Sequence, residues 1–325
     1  MAITLKEWKE GLSDHVAQQV VDTFVRHSQI LELMPFDNAV SPSGTGSTLT
    51  YGYMQKKLPS TAGFRKLNNE YEASAATLDK KTVELKIFGG SFELDRVLKQ
   101  SEGKFNTMAF QMEEKIISAI NLFHDAMING DTQTNADGFD GLSKMLLGQA
   151  TELNAGGAAI DLSTAENLKA NADQFYEMLT ELINTTGANA ILANTKMITK
   201  IQTVARVLGY KTQSEEAFGR RVLSIDNVRI IDLKNKVTVS GGTAAKSEPI
   251  VGVKTGETDI YAVKFDVNDG FHGVTLTGTS GITSYLPDFS QPGAVKKGEV
   301  EMVAATVLKN VAHAGVLRKI KITAG

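Results

Sequence analysis

The chain has 325 residues, 42% of them apolar, and a formal net charge of −3 from 34 basic and 37 acidic side chains. That is apolar material enough for a core and too much for a disordered chain, and nothing in the charge balance suggests a protein that holds nucleic acid by neutralising phosphates. With no cysteine, disulfides and thiolate metal sites are excluded, and His15, His27, His124, His272 and His313 share no zinc-ligand spacing.

The opening "MAITLKEWKE" is charged too early for a signal peptide, and no apolar run approaches the ~18 residues of a membrane-spanning helix. Thr4 and Glu7 form a capping box. A helical stripe follows through Val16, Val20, Phe24 and Ile30, stopped by Pro35, and "NAVSPSGTGS" (38–47) reads as a loop. Leu49, Tyr51 and Tyr53 alternate with polar or small residues, as a strand does. The stretch 56–79 is mostly polar, and a second strand carries Val83, Leu85 and Ile87 on one face. After Gly89-Gly90 the apolar residues are Phe92 and Leu94, one step out of phase, which reads as a β-bulge. Residues 48–96 are therefore expected to form a long two-stranded ribbon with a polar tip.

Phe105, Met108, Met112, Ile116, Ile120, Phe123 and Met127 predict a long amphipathic helix over about 104–129, closed by Gly130. Ser163 and Glu166 make a second capping box, opening a helix striped by Leu168, Ala172, Phe175, Leu179 and Leu182. "NAILAN" is a short strand leading to Asn194, the expected N-cap of a helix with Met197, Ile201, Val204 and Leu208 that ends at Gly209. Strands are expected in "NVRIIDL", "PIVGVK", "TDIYAVKFDV" and "GFHGVTLTG", and in two C-terminal stretches around Val300, Met302 and Ala304 and around Val316, Ile320 and Ile322.

The loop "GDTQTNADGFDGL" (130–142) is the most polar punctuation in the chain. Aligned as a calcium loop from Asp131, it has Ala136 where glycine is required and Leu142 where the bidentate glutamate belongs. Lys246-Ser247 echoes a phosphate loop, but Ala245 replaces the needed glycine and a strand pattern follows instead of a helix. His124 and Asp125 are neighbours on a helix and point about 100° apart, so they do not form an acid–base pair. No serine sits in a Gly-x-Ser-x-Gly elbow. No catalytic, cofactor-binding or metal residue is assigned, and the expectation is a protein that is not an enzyme.

In this order the elements resemble the major capsid protein of a tailed bacteriophage, the Hong Kong 97-type fold. "ELKIFGGSFELDRVLKQ" (84–100), the helix "FNTMAFQMEEKIISAINLFHDAMING" and the loop after it carry the resemblance. It implies an α+β fold with an N-arm (1–47), an extended β-hairpin or E-loop (48–96), a P domain with its spine helix (97–187), an A domain (188–290) and C-terminal P-domain strands (291–325). Gly130, Asp131, Gly138 and Gly141 would then serve as a structural turn and Gly89-Gly90 as the bulge. The implied function is a shell of hexamers and pentamers around double-stranded DNA, held without sequence-specific contacts. The implied partners are copies of itself, a separate scaffolding protein (a chain starting at Met1 favours a separate one) and a portal, with no cofactor and no membrane. The implied location is the virion, after assembly in the host cytoplasm. An encapsulin-type compartment is the alternative, and an α/β enzyme or binding module a second.

The residues themselves also argue for assembly. A two-stranded ribbon is marginal alone in water, and ordering it costs about 1–2 kcal/mol of backbone entropy per residue. The arm residues Trp8, Val16, Val20 and Phe24 need a partner surface. On the ribbon, Lys56, Lys57, Arg65 and Lys66 precede Glu70 and Glu72, a charge order suited to setting register on a neighbour. Exposed lysines there are read as solubilising the hairpin rather than as cross-linking groups.

Overall fold

The computed structural model describes residues 30–40, 49–100, 106–154, 156–210, 213–217, 220–240, 244–276 and 282–323. The arm residues Trp8, Val16, Val20 and Phe24, and the Thr4–Glu7 capping box, lie outside the described residues. The strands are β1 (Phe36–Val40), β2 (Thr50–Leu58), β3 (Thr77–Glu84), β4 (Lys86–Asp95), β5 (Glu152–Leu153), β6 (Ile160–Asp161), β7 (Ala190–Ala193), β8 (Gln213–Ala217) and β9 (Arg220–Ile225). They continue with β10 (Val228–Asp232), β11 (Asn235–Ser240), β12 (Ala244–Pro249), β13 (Glu257–Val263), β14 (Phe271–Leu276), β15 (Ile282–Tyr285), β16 (Val295–Leu308) and β17 (Ala314–Lys321).

A helix forms over Thr107–Asn129 because its ends are satisfied and its stripe is continuous. Asn106 accepts a hydrogen bond from the Ala109 amide at 3.0 Å, and the Gly130 N–H donates to Ala126 O at 2.8 Å. Its apolar stripe is buried at Met112, Ala119, Phe123 and Met127. The helix lies on one face of a sheet ordered β1-β14-β16-β15, in which β4 pairs along the other side of β16.

The second sheet runs β5-β17-β13-β7-β10-β9-β8, with β6 also on β17. Helices Ala165–Thr186 and Thr195–Val207 cover one of its faces, burying Phe175, Leu179, Ile201 and Val204. Its other face shares a core with the long helix, where Leu192, Tyr261 and Val316 meet Phe123, Met127 and Met302. β7 is buried throughout, which is why "AILA" is unbroken apolar sequence. The β11–β12 hairpin is tied to the long helix: Asn121 Nδ2 donates to Asn235 O at 2.8 Å, and Lys236 pairs with Asp125 at 3.1 Å.

Several local expectations are corrected. The N-cap of Ala165–Thr186 is Thr164, whose hydroxyl accepts from the Asn167 amide at 3.1 Å, because the Ser163 hydroxyl is committed to Asp161 at 2.6 Å. "PIVGVK" is not a strand; Ile250 and Val251 are buried as a connection, and the preceding "AAKSEP" is the strand that closes the hairpin with β11. β1 occupies the start of an expected loop, pairing in parallel with β14. Sheet membership also cuts across the expected segment borders. β14 and β15 pair with β16, whereas β17 pairs with β13. The hairpin ends at Glu84, and Lys86–Asp95 belongs to the β16 sheet.

The bulge at Gly89-Gly90 is not there: β4 pairs with β16 in unbroken register from Lys86↔Ala304 to Asp95↔Val295. The phase change arises because the chain passes between two cores on opposite faces. Val83 and Leu85 face a cluster with Tyr51, Val274 and Val307, while Phe88 and Phe92 face the helix side. Gly89 is required instead by close approach, since a Cβ there would lie 1.9 Å from Val300 O.

Candidate assembly surfaces

Two features hold the ribbon to the body. The first is its small core. Tyr51 and Leu85 are buried against Val274 and Val307, and the Leu85 N–H donates to Leu49 O at 2.7 Å. The second is a set of polar ties. Tyr51 Oη donates to Asp37 Oδ2 at 2.8 Å, Tyr53 Oη to Leu308 O at 3.4 Å and Gln55 Nε2 to Lys309 O at 3.0 Å. Burial, the hydrogen bond to Asp37 and its charge all push the Tyr51 phenol well above its ordinary value. His272 is fully buried beneath it, its ring edge-on to Tyr51 at 6.0 Å. Burial, then the nearby Lys309 charge, hold His272 below the usual histidine range. His124, fully buried within the long helix, is pushed down to about 4 by burial, so it packs as a neutral ring.

Beyond Leu58 the ribbon leaves the body. Lys56, Lys57, Arg65, Lys66, Glu70 and Glu72 are all exposed. The structure brings the Arg65 guanidinium over Tyr71 at 5.3 Å and onto Asn69 O at 3.3 Å, while Ser74 Oγ and the Thr61 backbone bridge the two sides at 2.9 Å. The expected polar tip is wrong in one respect: Phe64, Leu67 and Tyr71 stand fully or largely exposed there. Three large apolar side chains spread through "GFRKLNNEY" were the available signal, masked by the charges between them.

The turn residues do come together. The Gly141 N–H donates to Gly130 O at 2.9 Å, closing the loop at its neck. Neither glycine has a positive φ; they are needed because a Cβ at Gly130 would lie 2.2 Å from Phe139 O, and one at Gly141 2.6 Å from Ala126 O. Asp131 accepts from the Gln133 amide at 2.9 Å and binds Lys144 at 2.5 Å; Lys144 also meets Asp140 at 3.0 Å. The Lys144 ammonium holds the Asp131 carboxyl below its usual range. Gly138 sits at the loop's far end, its N–H on Asn135 O. A cleft of about 760 Å³ beside this loop is lined by Lys144, Lys236, Glu248 and Arg318. Lys144, Lys236 and Arg318 are already paired, with Asp131, with Asp125, and with Glu152 and Asp259 respectively. Among the described residues no group of three His, Asp or Glu is placed to hold a metal ion, and no helix is long and apolar enough to cross a membrane.

No protein-family model matches the sequence, and no curated protein matches it. Solved structures do match along nearly the whole chain. The SrpI encapsulin of Synechococcus elongatus PCC 7942 superposes with a TM-score of 0.65 at 12% identity, over 99% of this chain and 97% of that one. The capsid of a native GTA particle gives 0.61 at 12%, over 95% and 96%. A chain from Mycobacterium phage Bobi gives 0.57 at 11%, over 98% and 99%. The architecture is therefore the α+β Hong Kong 97-type fold of capsid and encapsulin shell proteins, and the chain resembles phage major capsid proteins from end to end.

Proposed function

We propose that this chain is the structural subunit of a closed icosahedral protein shell, a phage major capsid protein that encloses DNA as hexamers and pentamers. The ribbon is the single observation that carries this reading. It is rooted on a core of its own, then projects with Phe64, Leu67 and Tyr71 exposed, surface that a lone subunit leaves in water. Docking those side chains on sister copies covers them, and repeated head-to-tail contacts give rings where the rotation between copies closes. On this reading 1–47 is the N-arm, the hairpin to Glu84 the E-loop, the β16 sheet with the long helix the P domain, and the β7–β13 sheet with its two helices the core of the A domain. A scaffolding protein and a portal are the further partners, the virion is the destination, and no catalytic step is needed.

The likeness to an encapsulin favours a second reading, a compartment that encloses protein. One experiment separates the readings. The purified protein is imaged in negative stain, and particles from the native host are assayed for nuclease-protected DNA. Closed particles protecting DNA support the capsid reading. Closed particles loaded only with protein support the compartment. A discrete small oligomer under all assembly conditions overturns both.

A further inference from the structure

Two crossings between the sheets meet at one point. Residues 264–270 lead from β13 in the second sheet to β14 in the first, and a short 3₁₀ turn, Val311–His313, leads from β16 in the first to β17 in the second. Backbone joins the crossings: the Lys264 N–H donates to His313 O at 2.9 Å, and the Lys309 N–H to Gly270 O at 3.3 Å. The end of the helix Ala165–Thr186 reaches the same point.

His313 sits where these three pieces meet. Its Nδ1 lies 3.2 Å from Thr186 O, and its Nε2 lies 3.1 Å from Asp269 Oδ2. A carbonyl and a carboxylate both accept and neither donates. A neutral imidazole carries one N–H and can serve one of them; the doubly protonated ring serves both. Thr186 O belongs to the last turn of its helix, whose carbonyls have no partner within the helix. That turn holds no basic residue, so an imidazolium beside it also supplies the positive charge that a helix C-terminus favours. The His313 side chain is 25% exposed, so its proton can exchange with water while the fold stays closed.

The charged groups around the ring lie mostly on the 264–270 connection. Lys264 binds Asp269 at 2.9 Å and stands 3.9 Å from Asp266. The hydrogen bond from Lys264 holds the Asp269 carboxyl below its usual range, so the acceptor stays charged. Lys309 turns its ammonium to Val267 O at 2.7 Å. Residues 182–186 of the helix and 314–317 of β17 carry no titratable side chain, and Glu181 is exposed. His272 meets the connection from the Tyr51 side, with Nδ1 3.4 Å from Gly270 O.

We propose that His313 is a proton-operated latch that ties the end of Ala165–Thr186 to the two crossings between the sheets. Doubly protonated, it holds Thr186 and Asp269 at once. On losing a proton it keeps the charge-assisted bond to Asp269, the stronger of the two, and releases Thr186 O. The hold on the helix is thus present at low pH and lost as pH rises, while the backbone ties between the crossings remain. The latch belongs to the single subunit and goes beyond the shell reading.

Two measurements on the full chain test it. Histidine labelled with nitrogen-15, with a His313 variant to assign the signal, reports the ring directly: both nitrogens are expected to carry protons at about pH 5.5 and one at about pH 8. Hydrogen exchange, corrected for its intrinsic pH dependence, is expected to show residues 183–188 losing protection about tenfold over the same range, the size of one hydrogen bond. H313N, or H313Q if the shorter side chain does not fold, should abolish that loss. D269N should move it to lower pH, because the carboxylate no longer favours the imidazolium, and H272F should leave it in place. Wild-type protection that is flat with pH, a His313 variant that keeps the change, or a ring with a single proton at both pH values would overturn the latch and leave the shell reading untouched. Loss of the response in H272F would assign it to His272 and also overturns the proposal. Failure to form particles would sink the shell reading and leave the latch standing.

Discussion

The root and the tip of the ribbon are one hairpin with two opposite solutions to the same problem. At the root, Tyr51 and Leu85 have their apolar surface covered, the Tyr51 hydroxyl donates to Asp37, and Tyr53 and Gln55 donate to the carbonyls of Leu308 and Lys309. At the tip, Phe64 and Leu67 are covered by nothing among the described residues, and Arg65 finds only Tyr71 and nearby carbonyls. A marginal hairpin needs three strands or a packed face to persist. The root has that face within its own chain; the tip has the composition of a surface waiting for one. Stability and assembly should therefore be separable along a single hairpin.

The sharpest way to break that division is at the root. Leu85→Ala removes a buried side chain from a small cluster and is expected to lower subunit stability by about 3 kcal/mol, read by urea unfolding. If the ribbon were held only by neighbours, the isolated subunit would not register the change. Tyr51→Phe keeps the ring and removes the hydroxyl's bond to Asp37. It should cost about 1 kcal/mol, enough to weaken amide protection across β2–β3 while the β7–β13 sheet keeps its own.

How much of this was readable beforehand follows from how local each determinant is. The long helix, the Asn194 cap and the alternation at Val300, Met302 and Ala304 depend on neighbours a few residues away, and all are present. The flip at Gly89 is not local. It reports that Leu85 faces the ribbon root while Phe92 faces a helix on the other side, and a phase shift alone cannot tell that from a bulge. Nor do residues near Tyr53 reveal an acceptor at Leu308, 255 positions away. β1 and the β11–β12 hairpin escaped because FDNAV, NKVTVS and AAKSEP are short and rich in polar residues, and because the partner of β1 is the distant β14. The turn residues were found, although for a different reason than the one expected: Gly130 and Gly141 serve backbone contact at the neck, not left-handed backbone.

A smaller effect distinguishes root from tip by acidity. His272 faces Tyr51 and lies near Asp37 and Lys309, and its folded value is depressed below the ordinary 6.5. The opened state then binds the proton more readily, so the root's stability is present above the ordinary histidine value and is lost as pH falls below it. Hydrogen exchange measured from pH 7 downward should show β2–β3 near Tyr51 losing protection as the histidine range is crossed, and H272F should flatten that response. A tip that loosened at the same pH as the root, with H272F unchanged, would remove the histidine from the account.

The smallest expected change in subunit stability comes with the largest consequence for assembly. F64S/L67S alters side chains that stand largely exposed, so unfolding free energy should move by no more than about 0.5 kcal/mol. Particle yield should nevertheless fall severalfold, because the same substitutions remove the apolar area through which the tip would be covered on a sister copy. K56E/K57E should behave likewise, impairing particles while folding stays intact, but with a salt dependence that the apolar pair lacks, since screening acts on charges and not on buried area. If F64S/L67S assembled normally, the exposed tip would be mere surface, and the ribbon's hold on a neighbour would have to reside entirely in the strands between root and tip.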